Sequence, residues 1–459
     1  MRPIVSAVIS ALFLIACGGG TEPASPALSV QIKQLSAPAI AGDQVQLSAS
    51  QGQGAFTYAW QLSQKPPESQ LQLGNTQGDT LEFRADVPGI YAVTLTVRNA
   101  SGSVSVPYQV VVAANQAPVI KTEATTDYTS VVQGETLRID AHQSRDPEQR
   151  PLTYRWTLLA QPPTSALSAA TTDYYDFAPT IRGNYQIELA VSDGYTTSKT
   201  VLNYQAIQAR TLLNAKMDSE LSAVQQVAAV FGAGSSDLPQ THASDHLTVS
   251  NDAALGASFQ FKLHLAEDGD RAVALSQTDR QRSEIKTYAN SPATQTCEQG
   301  ETLSVFWQLK TEDIGLSYSF SHLFQIKGQD DQPLLTLTAR RVSATTNELH
   351  LLYGNQSSIL ASVDWGLVKQ RWLDAALTFT CSDNGNLRFS LIDTLTQQPV
   401  MTYQNQALAM WQGIDNDKLG LKFGLYRKVK VNSSDAQFRE GLHLREDNVY
   451  IRTIRIEQH

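Results

Sequence analysis

Leu421-Lys422-Phe423-Gly424-Leu425-Tyr426-Arg427-Lys428 alternates apolar and polar residues with period two. Read as a strand, it sends Leu421, Phe423 and Leu425 to one face and Lys422, Gly424, Tyr426 and Lys428 to the other. The first set is a core face, so the stretch is a half-buried strand and the chain around it is β. Gly424 has no side chain and leaves room between Lys422 and Tyr426 where a ligand could approach the sheet. From Lys418 to Asn432 there are Lys418, Lys422, Arg427, Lys428 and Lys430 and no acid. Such a run suits an anionic ligand, or equally a solubilising lysine-rich edge strand.

Two other stretches have the same period. In Asp279-Arg-Gln-Arg-Ser-Glu-Ile-Lys286, one face carries Arg280, Arg282, Glu284 and Lys286. Four ionisable groups in a row cannot enter an apolar core unpaired, so that face meets water or something charged. In Ser321-His-Leu-Phe-Gln-Ile-Lys327, Phe324 and Ile326 mark the core face and Gln325 and Lys327 the open one. By parity His322 joins the core face unless a bulge intervenes.

At 459 residues the chain is expected to hold about two to four domains. With 42% hydrophobic and 17% charged residues most of it should fold. A net charge of −9 excludes general nucleic-acid binding. Met1-Arg2 and the apolar run Ile4–Ala16 are too short for a permanent membrane span. The run ends Leu14-Ile-Ala-Cys17, which resembles the bacterial lipoprotein signal. That resemblance implies a leader over 1–16, lipidation of Cys17 and, with Gly18 following, anchoring in the outer membrane on its surface or periplasmic side. Residues 17–27 read as a Gly/Pro/Ser tether. Cys297 and Cys381 remain, an even pair in an exported chain and a disulfide candidate. No metal-ligand set stands out. The acidic turn Asp268-Gly-Asp270 is either a solvated turn or a structural Ca²⁺ site, and no cofactor is required.

The next segments repeat each other. Thr57-Tyr-Ala-Trp60 and Gly89–Val97 are matched by Thr153-Tyr-Arg-Trp156 and Gly183–Val191, with Pro66-Pro67 and Pro162-Pro163 between them. Short alternating strands with Gly/Pro turns indicate β-sandwiches of about ninety residues. They resemble PKD domains, here 28–114 and 117–208, with Ser144-Arg-Asp-Pro147 matching in the second copy only. Trp60 and Trp156 are expected to fill the sandwich cores rather than stack on sugars. Leu212–Val230 reads as a helix in a linker, 209–244. From 245 to 459 strands follow one another, which suits a jelly roll. The fold class is therefore all-β, two Ig-like sandwiches followed by a β-jelly-roll.

Arg282-Ser-Glu-Ile-Lys286, Gln325-Ile-Lys327 and Lys422-Phe-Gly-Leu-Tyr426 resemble, in order, the Arg-x-Glu-Leu-Arg, Gln-Ile-His and Lys-x-Gly-x-Tyr signatures of jelly-roll polysaccharide lyases. Alginate lyases and heparin lyase I belong to that group. Lys327 stands where the alginate lyases carry His, which is closer to jelly-roll ulvan lyases with their Lys and Tyr. The resemblance implies β-elimination at a uronate. Arg282 and Gln325 would neutralise the carboxylate, with Lys422 as a further substrate contact and Glu284 orienting Arg282 or Lys286. Tyr426 would protonate the leaving oxygen. Lys327 would be the base, provided its pKa is lowered; otherwise Tyr426 does both jobs. The expected substrate is an anionic polysaccharide, ulvan first and glucuronan or alginate second, and the chain is expected to be monomeric. A glycan-binding surface lipoprotein without catalysis is the alternative.

Overall fold

The computed structural model describes residues 28–36, 39–51, 55–240, 245–264, 268, 280–288, 290–328, 332–354, 358–411, 418–428 and 446–459. Cys17 with its leader and tether, and Asp270, Asp279 and Lys430, lie outside these residues. By internal packing the chain divides into two compact units, one of Met1–Thr122, Ala141–Tyr154 and Ala190–Thr200, the other of Glu123–Asp140, Arg155–Leu189 and Val201–His459.

The first unit contains a sandwich of two three-stranded sheets. One runs Val30–Gln34, Gln44–Gln51, Thr80–Arg84 and the other Thr57–Gln64, Gly89–Asn99, Gly102–Val112. Alternation puts Val45, Leu47, Leu81, Tyr91, Val93 and Leu95 in its core, with Trp60 among them. The Trp60 indole N–H donates to the Gly78 carbonyl at 2.9 Å. The Tyr91 hydroxyl donates to Asp86 Oδ1 at 2.7 Å.

The repeat recurs in the second copy. Trp156 is fully buried and donates to the Thr172 carbonyl at 2.9 Å, while Tyr185 donates to the Ile181 carbonyl at 2.7 Å. A buried indole or phenol needs a partner for its polar atom, and here a main-chain or local acceptor supplies it. Both tryptophans are core residues.

In the second unit, two antiparallel sheets close over one apolar core, a β-jelly-roll. The larger runs Leu247–Asp252, Gly256–His264, Glu446–Gln458, Thr302–Thr311, Leu373–Thr380, Gly385–Asp393, Pro399–Leu408. The other runs Ser236–Asp237, Arg280–Thr287, Gly420–Lys428, Ser321–Lys327, Pro333–Arg341, Asn347–Tyr353, Ser358–Asp364. Leu421, Phe423, Leu425 and Ile285 pack with Phe259, Phe261, Val305 and Leu309 of the larger sheet. Trp307 stacks on Phe324 at 4.6 Å between ring centroids and meets Phe423 edge-on at 5.7 Å.

The linker differs from expectation. Ala209–Leu213 is a strand paired with Glu446–Gln458, and the helix is only Ala223–Phe231. Ser222 caps it, and Gln225 returns the bond to the Ser222 N–H, so the helix starts where the capping box fixes it. Cys297 and Cys381 form a disulfide with Cα atoms 6.2 Å apart. Cys297 also bridges Leu419, next to the strand that carries Tyr426.

Candidate active site

On the face of the seven-stranded sheet away from the core, register sets the neighbours. The Arg280–Thr287 strand places Arg282 opposite Tyr426, Glu284 opposite Gly424 and Lys286 opposite Lys422. Asp237, on the short edge strand, lies opposite Glu284. On the other side of Gly420–Lys428, the partners are His322 with Tyr426, Gln325 with Lys422 and Lys327 with Gly420.

Two sequence readings change here. Pairing slips between His322 and Phe324 on both neighbouring strands. The irregularity at Leu323 reverses the parity upstream of it and brings His322 onto the face of Tyr426, as a bulge does. Lys327 keeps the open-face parity but sits six positions along the strand from His322's partner Tyr426. At roughly 3.3 Å per residue that is about 20 Å, beyond the combined reach of the two side chains. Lys327 and Tyr426 are therefore not a pair.

Tyr426 has charge on two sides. Arg280 Nη1 donates to its hydroxyl at 3.1 Å, and the Arg282 guanidinium lies over its ring at 3.7 Å from the centroid. The His322 ring is 5.9 Å from it and stacks on Phe320 at 4.3 Å, nearly parallel. Burial, with a smaller contribution from Arg282, pushes the His322 pKa down to about 3, so the imidazole is neutral at working pH. Its Nδ1 is hydrogen-bonded with the Thr338 hydroxyl at 2.8 Å.

The next rows form an ion cluster. Glu284, wholly buried, accepts from Gln325 Nε2 at 2.6 Å and lies 3.3 Å from Arg282 Nη1. Gln325 thus donates to a protein carboxylate, and Glu284 orients Arg282. Asp237 accepts from Lys286 at 2.7 Å and Lys422 at 3.0 Å, with Arg282 at 3.7 Å. Burial raises the Asp237 pKa, but the charges of Lys422 and Lys286 outweigh it and hold the carboxyl well below the usual range. Burial lowers the Lys422 pKa against the opposing pull of Glu284 and Asp237. Among the described residues of this cluster, Arg280, Arg282, Lys286 and Lys422 stand beside the two carboxylates Asp237 and Glu284.

Three further readings are corrected. Gly424 has φ +133°, and a Cβ there would lie 2.4 Å from the Ser283 carbonyl oxygen and 2.9 Å from Phe261 Cδ1. The glycine serves strand geometry and core packing rather than opening the face. The basic run is dispersed as well: Arg427 is buried on the opposite face, paired with Asp447 and donating to Gln281 Oε1 at 2.8 Å. Lys418 pairs with Glu298 at 2.8 Å. Asp268 is not a solvated turn residue, since its side chain is fully buried and faces two imidazoles rather than an oxygen-only set.

Asp237, Phe320 and Thr338 were not legible as site residues. Asp237 precedes the strands in the chain and joins them only through edge pairing.

No protein-family model and no curated protein matches the chain. Among solved structures it is similar to the alginate lyase AlgAT5 of polysaccharide lyase family 7, at 14% identity and TM-score 0.31, over 55% of this chain and 94% of that one. It is also similar to the alginate lyase from Corynebacterium sp., at 10% identity and TM-score 0.30, over 55% and 93%. The three N-terminal domains of the bacteriophage RB49 outer capsid protein Hoc match at 11% identity and TM-score 0.28, over 84% and 99%. The likeness is one of β architecture.

Proposed function

We propose that the jelly roll is a polysaccharide lyase that cleaves a uronate polymer by β-elimination. The observation that carries this reading is the phenol of Tyr426 held between Arg280 and Arg282 beside the neutral ring of His322. Tyr426 acts as both base and acid. Its phenolate, stabilised by the two guanidinium groups, takes the C5 proton; the C5–H pair forms the C4=C5 bond. The C4–O4 bond breaks, and O4 leaves with the proton from the phenol. Arg282, next to Tyr426, meets the substrate carboxylate whose negative charge opposes loss of the C5 proton. Gln325 and Lys422, paired four positions along the strand from Tyr426, keep Glu284 and Asp237 in place and bound the neighbouring subsite.

Lys327 was the residue that put ulvan first. With Lys327 away from Tyr426, ulvan, glucuronan and alginate enter the test on equal terms. In this reading Cys17 anchors the protein to the outer membrane by lipid, and the two sandwiches are spacers. Incubation with each polymer should yield, on one of them, the ultraviolet absorbance of an unsaturated uronate end. Absence of product on every uronate polymer overturns the proposal. A second reading, glycan binding without chemistry, draws on the prior engagement of Arg282 and Gln325 by Glu284; it predicts retention on a uronate polymer with no product.

A further inference from the structure

We propose that His246, His264 and Asp268 form a transition-metal site of the zinc class, on the opposite side of the Arg280–Thr287 strand from Arg282. The site is separate from the cluster around Tyr426 and does not depend on the lyase reading.

Strand pairing brings the three residues together. His246 immediately precedes Leu247–Asp252, His264 ends Gly256–His264, and Leu247 pairs with Phe261. The Lys262 N–H and the Ser283 hydroxyl both donate to the His246 carbonyl at 2.9 Å. Gln281 Nε2 donates to the carbonyls of His264 and Asp268, each at 3.0 Å. Main chain on both sides of the cluster is thus fixed to the core-side face of the arginine strand.

The spacing of the donor atoms suits an ion. One ligand atom from each residue lies within 4.8 Å of the others. Asp268 Oδ2 is 3.5 Å from His246 Nδ1 and 3.4 Å from His264 Nδ1. These separations exceed the ~2.7–3.2 Å of an N–H···O bond. The two edges from Asp268 are close to the edge of a tetrahedron, roughly 3.3–3.4 Å when each ligand is ~2.0–2.1 Å from the metal, and the ligand atoms of the two imidazoles lie within 4.8 Å of each other. Two imidazoles and a carboxylate select a zinc-class ion over Ca²⁺, which takes oxygen ligands; water supplies the fourth position.

Burial agrees. The Asp268 side chain is 0% exposed and that of His246 2%, so the ligand atoms face the interior rather than open water. Asp268 Oδ2 also accepts the His264 main-chain N–H at 2.5 Å. His264 Nε2 lies 3.2 Å from Glu446 Oε2, the placement of a carboxylate that accepts from the far N–H of an imidazole whose Nδ1 is the ligand. His264 is partly exposed, which gives an ion its path in. His246 Nδ1 lies 3.3 Å from the Lys262 carbonyl, so a metal must displace a proton that this nitrogen would otherwise direct there.

The test uses the full chain after chelation, titrated with Co²⁺ as the spectroscopic probe and then with Zn²⁺. Expected are one-to-one uptake, visible absorption of four-coordinate Co²⁺ that Zn²⁺ abolishes, and a melting temperature raised by about 3 °C or more with saturating Zn²⁺. His264→Ala and Asp268→Asn, checked for native circular dichroism, should lose the absorption. Glu446→Gln should keep the site but weaken it about 10–100-fold, as loss of a carboxylate behind a ligating imidazole does. Folded wild-type protein that takes up no Co²⁺ overturns the proposal without recourse to any variant, and so does absorption undiminished in both ligand variants.

Discussion

Trp156 and Tyr426 are both buried aromatic side chains with one polar atom, and their surroundings differ. The Trp156 N–H ends on one neutral carbonyl, and its ring stacks on Tyr175 at 5.5 Å between centroids. The Tyr426 hydroxyl meets a guanidinium, a second guanidinium covers its ring, and Asp237, Glu284, Lys286 and Lys422 continue the charges. A neutral bond to main chain fixes a side chain at little cost. Collecting ionised groups out of water is expensive and stabilises a fold poorly. The sandwich is therefore built to persist, and the sheet face departs from the rules of a stable core where chemistry is proposed.

The sharpest way to break this contrast is Tyr426→Phe. It removes one oxygen from a packed ring and should leave the fold intact. If Tyr426 carries the proton, turnover falls by about 10²–10⁴, the usual worth of a positioned acid–base group. The measurement is the initial rate of unsaturated-uronate formation on the responsive polymer. A variant within a factor of about three of wild type would make the phenol another packed aromatic, like Trp156.

Asp237→Asn addresses the charges themselves. Removing the charge of one partner from a buried ion cluster costs about 3 kcal/mol, since Lys286 and Lys422 lose the carboxylate they share and one of its two acceptor oxygens. The acid limb of the stability curve gives the control. Asp237 is held below its unfolded value near 3.9, so its contribution is present above about pH 4 and is lost as pH falls below it. In the variant, that part of the acid limb should be missing from denaturant melts.

His322 against Lys327 comes next. His322→Ala removes the ring packed beside Tyr426 and should cost about 10- to 100-fold in turnover through misplacement of the phenol, and Lys327→Ala less than about threefold. His322 also has a pH signature. Its pKa is pushed down to about 3 by burial, against about 6.5 unfolded, so its contribution to stability is present above about pH 6.5 and is lost as pH falls toward 3. His322→Ala should flatten stability across that window, and the wild-type turnover should show no histidine limb near neutrality. Equal losses in the two variants would mean that position along the strand does not decide function.

These comparisons also mark what could be read from the residues alone. Alternation in Leu421–Leu425 gave the core face directly, because period two is a local property that burial enforces. The repeated Tyr-x-Trp strands behaved the same way. His322 did not, since the irregularity at Leu323 depends on how three strands align. Lys327 failed for a related reason: parity assigns a face but not a position along a neighbour, and only register separates Lys327 from Tyr426. Asp237 belongs to a two-residue edge strand, too short to carry a period. Residues held by local periodicity were legible, and those held by partners distant in the chain were not.

The smallest expected effect lies on the other side of the comparison. Trp156→Phe keeps an aromatic ring and deletes the N–H that reaches the Thr172 carbonyl; Trp60→Phe does the same at Gly78. Each leaves a main-chain carbonyl without its donor and a gap where the larger ring stood, and should lower stability by about 1–3 kcal/mol, read from the denaturant midpoint. Neither should change turnover, because a spacer's tryptophan touches no substrate in the proposed function. Loss of polymer retention in either variant, with stability unchanged, would instead make the sandwiches glycan-binding, since deletion of a buried hydrogen bond cannot lower binding while leaving the fold untouched.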